Sequence, residues 1–194
     1  SIQAIGSMYH MYSADMTHSK SLPAFYKELR AGQEKHSGDD YCAVHDAITR
    51  LMKDCDSYKE LGLAQGTTLA AAILQHPVSV EAIDNDLPRF NACRPLFEKY
   101  CKKHKIELTI RGMSSLDPNA VSSADILFID TVHKPEWLAK ELMLHQSHTK
   151  KYIVMHDTVT NNANLHQVIK AFTQINKRWE IIEYCTLSVG YTVI

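Results

Sequence analysis

Two short stretches hold residues whose types and spacing could do chemistry. "FIDTVHKPEW" sets Asp130 and His133 three residues apart, and "VMHDT" sets His156 beside Asp157. Each follows a short apolar run, so each pair should fall at the end of a buried strand. If those strands are neighbours, two carboxylates and two imidazoles surround one spot. Such oxygen and nitrogen donors suit a hard or borderline divalent ion, and a carboxylate-rich set that retains waters favours Mg2+ or a similar metal. Such a set could do acid–base chemistry, since an imidazole titrates near neutral pH and a bound cation acidifies the groups it holds. Capping is the structural alternative, since Asp130 with Thr131, Lys134-Pro135 and Glu136 also makes a good helix start.

A third stretch, "YKELGLAQGTT", poses a different question: why two glycines, Gly62 and Gly66, four apart and just after the carboxylate of Glu60? A glycine turn between a strand and a helix brings backbone N–H groups close to a ligand where side chains would obstruct it. The spacing is not the three-glycine dinucleotide fingerprint, and a purely structural turn stays open. "VEAIDND" then places Asp84 about twenty residues on, where a carboxylate can accept from ribose hydroxyls. Asp84 and Asp86 also precede a helix and would serve as caps.

The whole chain narrows what these groups serve. At 194 residues, 45% hydrophobic and 22% charged, it suits one globular domain, and no apolar run reaches the eighteen or so residues of a membrane span. Lys and Arg number 21 against 22 Asp and Glu, so there is no overall positive field for a nucleic acid backbone. The basic run "KYCKKHK" reads as a solvated helix end. Five scattered cysteines without a C-x-x-C pair argue against a disulfide framework or zinc ribbon. With no basic segment leading into an apolar one at the start, the expectation is a cytoplasmic protein.

The elements that must position these residues follow from periodicity. Ser21-Leu22-Pro23 opens a helix ending near Gly32, and Asp39-Asp40 precede a second with Tyr41, Val44, Ile48, Leu51 and Met52 at helical spacing. From residue 57 strands and helices alternate: "SYKELG", "TTLAAAILQ", "SVEAID", "LPRFNACRPLFEKYCKKH" with an interruption at Pro95, "IELTIRG", "ADILFID", "KPEWLAKELMLHQ", "KYIVMHD" and "LHQVIKAFTQINK". This repetition implies a mostly parallel sheet with helices on both faces. The tail "RWEIIEYCTLSVGYTVI" leaves no room for a helix between its two strands, so a terminal hairpin puts an antiparallel strand in the sheet.

Together, "ELGLAQGTT", "AID", "RGMSSLD", "ILFIDTVH" and "IVMHDT" resemble the class I S-adenosylmethionine-dependent methyltransferases. More narrowly, they resemble the catechol O-methyltransferase-like group with its macrolide-sugar and cephalosporin-cluster relatives. The resemblance covers about residues 55 to 194. It implies a Rossmann-like α/β sandwich, a mostly parallel seven-stranded sheet with an antiparallel C-terminal hairpin strand. Residues 1–54 would be a helical cap over the cofactor or the substrate mouth.

The resemblance also implies roles. Glu60, Gly62 and Gly66 would shape the loop under the methionine part of S-adenosylmethionine, Asp84 would hold the ribose, and Met113, Ser114 and Ser115 would sit beside the adenine. Asp130 and Asp157 match metal carboxylates, with Asp130 also facing the cofactor, and His133 matches the catalytic lysine or histidine. The chain departs from the group at Thr158, where the catechol enzymes have Asn, and at His156, where the sugar enzymes have Glu. His156 therefore ligates the metal, donates a hydrogen bond to substrate, or packs. Trp137 is expected to cover the sheet.

The implied activity is methyl transfer to a small-molecule hydroxyl, such as a sugar or phenol. Its rivals are a methyltransferase-like binding or sensor module, which the Asp130/His133/Asp157 set disfavours, and a metal-independent enzyme acting on a macromolecule. Base-amino methylation lacks its N/D-P-P-Y/F motif here. A nicotinamide enzyme is disfavoured by the two-glycine loop and the terminal hairpin.

Overall fold

The computed structural model describes residues 20–159 and 164–194. Seven strands, β1 (Ser57–Leu61), β2 (Ser79–Asp84), β3 (Glu107–Gly112), β4 (Ala124–Ile129), β5 (Thr149–His156), β6 (Glu183–Cys185) and β7 (Tyr191–Val193), form one sheet in the order β3-β2-β1-β4-β5-β7-β6. The first five are parallel, while β7 runs antiparallel to both β5 and β6. The terminal hairpin thus enters the sheet as the missing helix required.

Side chains alternate across the strands and build two cores. Ile126, Phe128 and Val154 face one side with Tyr58; Leu127, Ile129, Ile153 and Met155 face the other with Leu61. The first face is covered by α1 (Leu22–Ser37), α2 (Ala43–Leu51), α3 (Thr67–Ile73), the short α4 (Pro88–Asn91) and α5 (Arg94–Lys103). The second is covered by α6 (Pro135–His145) and α7 (Leu165–Ile175) through Leu138, Leu142, Leu165, Ile169 and Phe172.

Two boundaries differ from the sequence reading. Helix α1 passes through Gly32 and stops at Gly38, whose φ of 101° and N–H bond to the Glu34 carbonyl end it. An internal glycine only weakens a helix, whereas one in a positive-φ conformation terminates it. The break in the long helical segment falls at Ala92-Cys93, and Pro95 sits in the first turn of α5, where its missing N–H costs nothing.

The N-terminal helices are pinned to the rest by polar contacts. Arg30 on α1 makes a bidentate pair with Asp46 on α2, Arg50 on α2 pairs with Glu183 on β6, and Gln33 on α1 donates to the Thr67 hydroxyl at the start of α3. The neighbours of β1 are β2 and β4, so chain order reverses there. A parallel sheet opens its ligand crevice beyond the carboxyl ends at such a point.

Candidate active site

Both sequence signals lie at that crevice. Gly62 follows β1 with φ 90°, and its N–H donates to the Ile83 carbonyl of β2. A Cβ on Gly62 would stand 2.0 Å from the Asp130 carbonyl oxygen, so the glycine lets the ends of β1 and β4 close on one another. Gly66, φ 84°, caps α3, and a Cβ there would press on Phe97 and Phe90 at 2.8 and 3.1 Å. The obstacles are backbone and packed rings.

Of the two carboxylates expected here, Asp84 holds the turn and Glu60 bonds within β1. Glu60 is buried and accepts a 2.5 Å hydrogen bond from the Tyr58 hydroxyl, and burial raises its carboxyl well above the ordinary range. Asp84 accepts from the Leu63 N–H at 2.7 Å and from the Asp86 N–H at 2.9 Å, so it braces the glycine turn. It does not cap the next helix, whose N-cap is Leu87. Two accepted bonds leave lone pairs on a partly exposed carboxylate.

The segment after β3 carries Met113, Ser114 and Ser115. Met113 donates its N–H to the Asp84 carbonyl and packs partly against the second core, while Ser114 accepts from the Leu116 N–H. Ser115 is buried against α6: its hydroxyl accepts from Trp137 Nε1 at 3.2 Å, and its carbonyl accepts from His145 Nε2 at 2.7 Å. Trp137 thus fastens this loop to the helix.

Asp130, His133, His156 and Asp157 converge from the ends of β4 and β5. His133 Nε2 lies 2.7 Å from Asp157 Oδ2 and 3.6 Å from Asp130 Oδ1, and His156 Nδ1 lies 3.4 Å from Asp130 Oδ2 and 3.5 Å from Asp157 Oδ2. Asp157 sits at φ 59°, a left-handed conformation that aspartate tolerates better than most residues. Asp130 is not a helix cap, since α6 starts from Lys134 without a side-chain bond.

Charge holds this group together. Asp130 and then Asp157 raise the His133 imidazole to about 10 against the cost of burial. Burial alone would raise the Asp130 carboxyl, but His133 and His156 outweigh it and hold it well below the usual range. Burial opposes a charge on His156, yet Asp157 and Asp130 raise it. As it stands, His133 is an imidazolium set between two carboxylates.

The donor set fits a divalent cation. One donor atom each from Asp130, His156 and Asp157 lie within 4.8 Å of one another, and the imidazolium of His133 already occupies the place of a positive charge beside them.

Two residues near the centre escaped the sequence reading. Tyr41, in the turn between α1 and α2, sets its ring edge-on to His156, centroids 5.7 Å apart. Burial, then the charges of Asp130 and Asp157, raise its phenol, so it stays a neutral donor. His45, one helical turn on, is buried and pushed down to about 3 by burial and then His156, and its Nδ1 has no hydrogen-bond partner among the described residues. Their i, i+4 spacing was the available signal, but it reads equally as ordinary core packing.

No family model fits the sequence, and no curated protein matches it. The fold does have solved counterparts. PaMTH1, a methyltransferase from Podospora anserina solved with S-adenosylhomocysteine, matches with a TM-score of 0.61 at 11% identity, over 99% of this chain and 93% of its own. TomG, an O-methyltransferase of tomaymycin synthesis from Streptomyces achromogenes solved with S-adenosylmethionine, gives 0.57 at 14%, over 98% and 94%. A ribosomal protein L11 methylase from Lactobacillus delbrueckii subsp. bulgaricus gives 0.58 at 15%, over 81% and 77%. The chain has the Rossmann-like fold of the class I methyltransferases, as its motifs implied.

Proposed function

We propose that the chain is an S-adenosylmethionine-dependent methyltransferase acting on a hydroxyl of a small molecule, with a divalent cation held by Asp130, His156 and Asp157. The observation that carries this reading is the acid and histidine centre standing beside the glycine turn, with the Gly62 Cβ position touching the Asp130 backbone. A donor loop and a hydroxyl-activating centre must lie close together, and here they follow the ends of adjacent strands, β1 and β4.

Each residue has a task in this reading. Glu60, Gly62 and Gly66 shape the loop under the methionine portion, Asp84 offers its free lone pairs to the ribose, and the 113–115 segment borders the adenine. A bound divalent cation supplies Lewis acidity that lowers the hydroxyl pKa. His133 accepts the hydroxyl proton as the oxygen takes the methyl group. While both carboxylates pair with it, the imidazole is a donor at neutral pH, and a cation that engaged Asp130 and Asp157 would free it to accept a proton. The donor set is what supports the metal. Tyr41 roofs the centre.

The wider expectations stay part of this proposal. Balanced charge supports a small-molecule substrate over a nucleic acid, and five free cysteines, four of them buried, support a cytoplasmic setting. Among the described residues no helix is long and apolar enough to cross a membrane.

Titration calorimetry with S-adenosylhomocysteine tests the reading. The native chain should bind, and Asp84→Ala should weaken binding by roughly 1.5 to 3 kcal/mol, the range for charge-assisted hydrogen bonds. No heat of binding from the folded native protein ends the methyltransferase assignment.

A further inference from the structure

Helix α6 carries a buried carboxyl that the proposed reaction does not use. Glu141 is fully buried, and the Thr131 hydroxyl lies 2.9 and 2.8 Å from its two oxygens, donating to the carboxylate. Thr131 follows Asp130 in the turn that leads to His133. Ser115 and Trp137, themselves hydrogen-bonded to one another, lie beside the same carboxyl. Helix α6 therefore gathers the turn after β4 through Glu141 and the segment after β3 through Trp137 and His145.

Glu141 also faces the centre directly. A cavity with room for about one water is lined by Asp130, Thr131, His133, Glu141 and His156, with Leu138 and Met155 among its apolar walls. A carboxyl is an expensive choice at such a place, and burial pushes it up to about 7 despite the bonds it accepts. A leucine would fill the space at lower cost to stability. What the carboxyl adds is direction, because an accepted hydroxyl bond fixes the Thr131 rotamer and with it the turn.

We propose that Glu141 is a positioning residue: through the Thr131 hydroxyl it fixes the 130–133 turn, so that Asp130 and His133 meet His156 and Asp157. This inference rests on reading that cluster as the reaction centre. Groups that orient metal ligands in this way typically change metal affinity by about 10- to 100-fold when removed.

The test reads backbone order and metal binding separately. The Asp130 amide, bonded to the Leu61 carbonyl, and the Lys134 amide, bonded to the Val132 carbonyl, bracket the turn. In native-state hydrogen exchange by NMR, Thr131→Val and Glu141→Leu should each speed exchange at these two amides by roughly tenfold, with the amides of β1 and β2 unchanged. Thr131→Ser, which keeps the hydroxyl, should exchange as the native chain does. Mn2+ affinity by calorimetry should fall about 10- to 100-fold in the first two variants and recover in Thr131→Ser. Native protection of both amides in Thr131→Val and in Glu141→Leu overturns the proposal, as does a Thr131→Ser variant no better than Thr131→Val. If the native chain binds no Mn2+, the metal reading of the centre fails, while the exchange rates still decide the role of Glu141.

Discussion

The glycine turn after β1 and the acid and histidine centre after β4 and β5 share one end of a sheet, yet they are held in different ways. The turn is a backbone object: two positive-φ glycines, an N–H on the Ile83 carbonyl, and a Leu63 N–H bound by Asp84. The centre is a side-chain object, four titratable groups from two strand ends whose positions depend on one another's charge. A backbone site keeps its shape as conditions change. A charge-held site rearranges when a proton, a cation or one partner is removed, which suits the proton transfer proposed for it.

The widest separation between the two should appear in turnover. His133→Ala removes the proposed base and should lower the methyl-transfer rate by about 10² to 10⁴, the usual contribution of a positioned base. Asp157→Ala, or chelation of the native protein, should stop turnover comparably. S-adenosylhomocysteine affinity should stay near native in all three cases, because the turn does not depend on the centre's charges. A panel of phenols and sugars with labelled methyl donor supplies the assay. Methylation that survives both chelation and His133→Ala would reduce the centre to a structural ion cluster.

The converse experiment breaks the turn. In Gly62→Val the side chain would meet the Asp130 carbonyl and force a branched residue to φ 90°. Overpacking and the disfavoured conformation together should cost about 3 kcal/mol or more, read as a lower urea midpoint. Here the contrast sharpens, for the same change should also displace Asp130 and so damage both regions. An unchanged midpoint would mean that the ends of β1 and β4 part freely.

This asymmetry explains what the sequence could reveal. Strand ends, glycine turns and the terminal hairpin are local patterns, so "ELGLAQGTT", "FIDTVHKPEW" and "VMHDT" pointed to one end of the sheet, and the last two to four residues that do converge. Tyr41 and Glu141 were not legible, because nothing local says that residue 41 will roof residue 156 or that a helical Glu will turn inward to Thr131. Those contacts come from packing between elements far apart in the chain. Gly32 misled for the opposite reason: a local breaker was outvoted by the apolar face of Phe25 and Leu29 packing α1 against α3 and α5, and the helix ran on.

The smallest effect expected is a pH dependence peculiar to the centre. His133 has a folded value of about 10 against an ordinary 6.5, so the folded protein binds that proton more tightly than the unfolded chain. Its contribution is therefore complete below about pH 6.5 and is lost as the pH rises through about 10. The Asp130 carboxyl, held low by the same contacts, contributes above its ordinary 3.8 and loses that share on acidification. With the His133 side chain 47% exposed, solvent screening keeps the effect modest. Glu141, near 7, and Lys59, near 8, titrate across the same range, so the useful quantity is a difference between two curves. The melting temperature of the metal-free native chain should fall relative to that of His133→Gln between pH 6.5 and 10. Saturating Mg2+ should erase that difference, since carboxylates engaged by a cation no longer reward the imidazolium. Parallel curves for the two proteins without metal would mean that His133 does not pair with Asp157 in solution, and the centre would lose the charge-held character that sets it apart from the glycine turn.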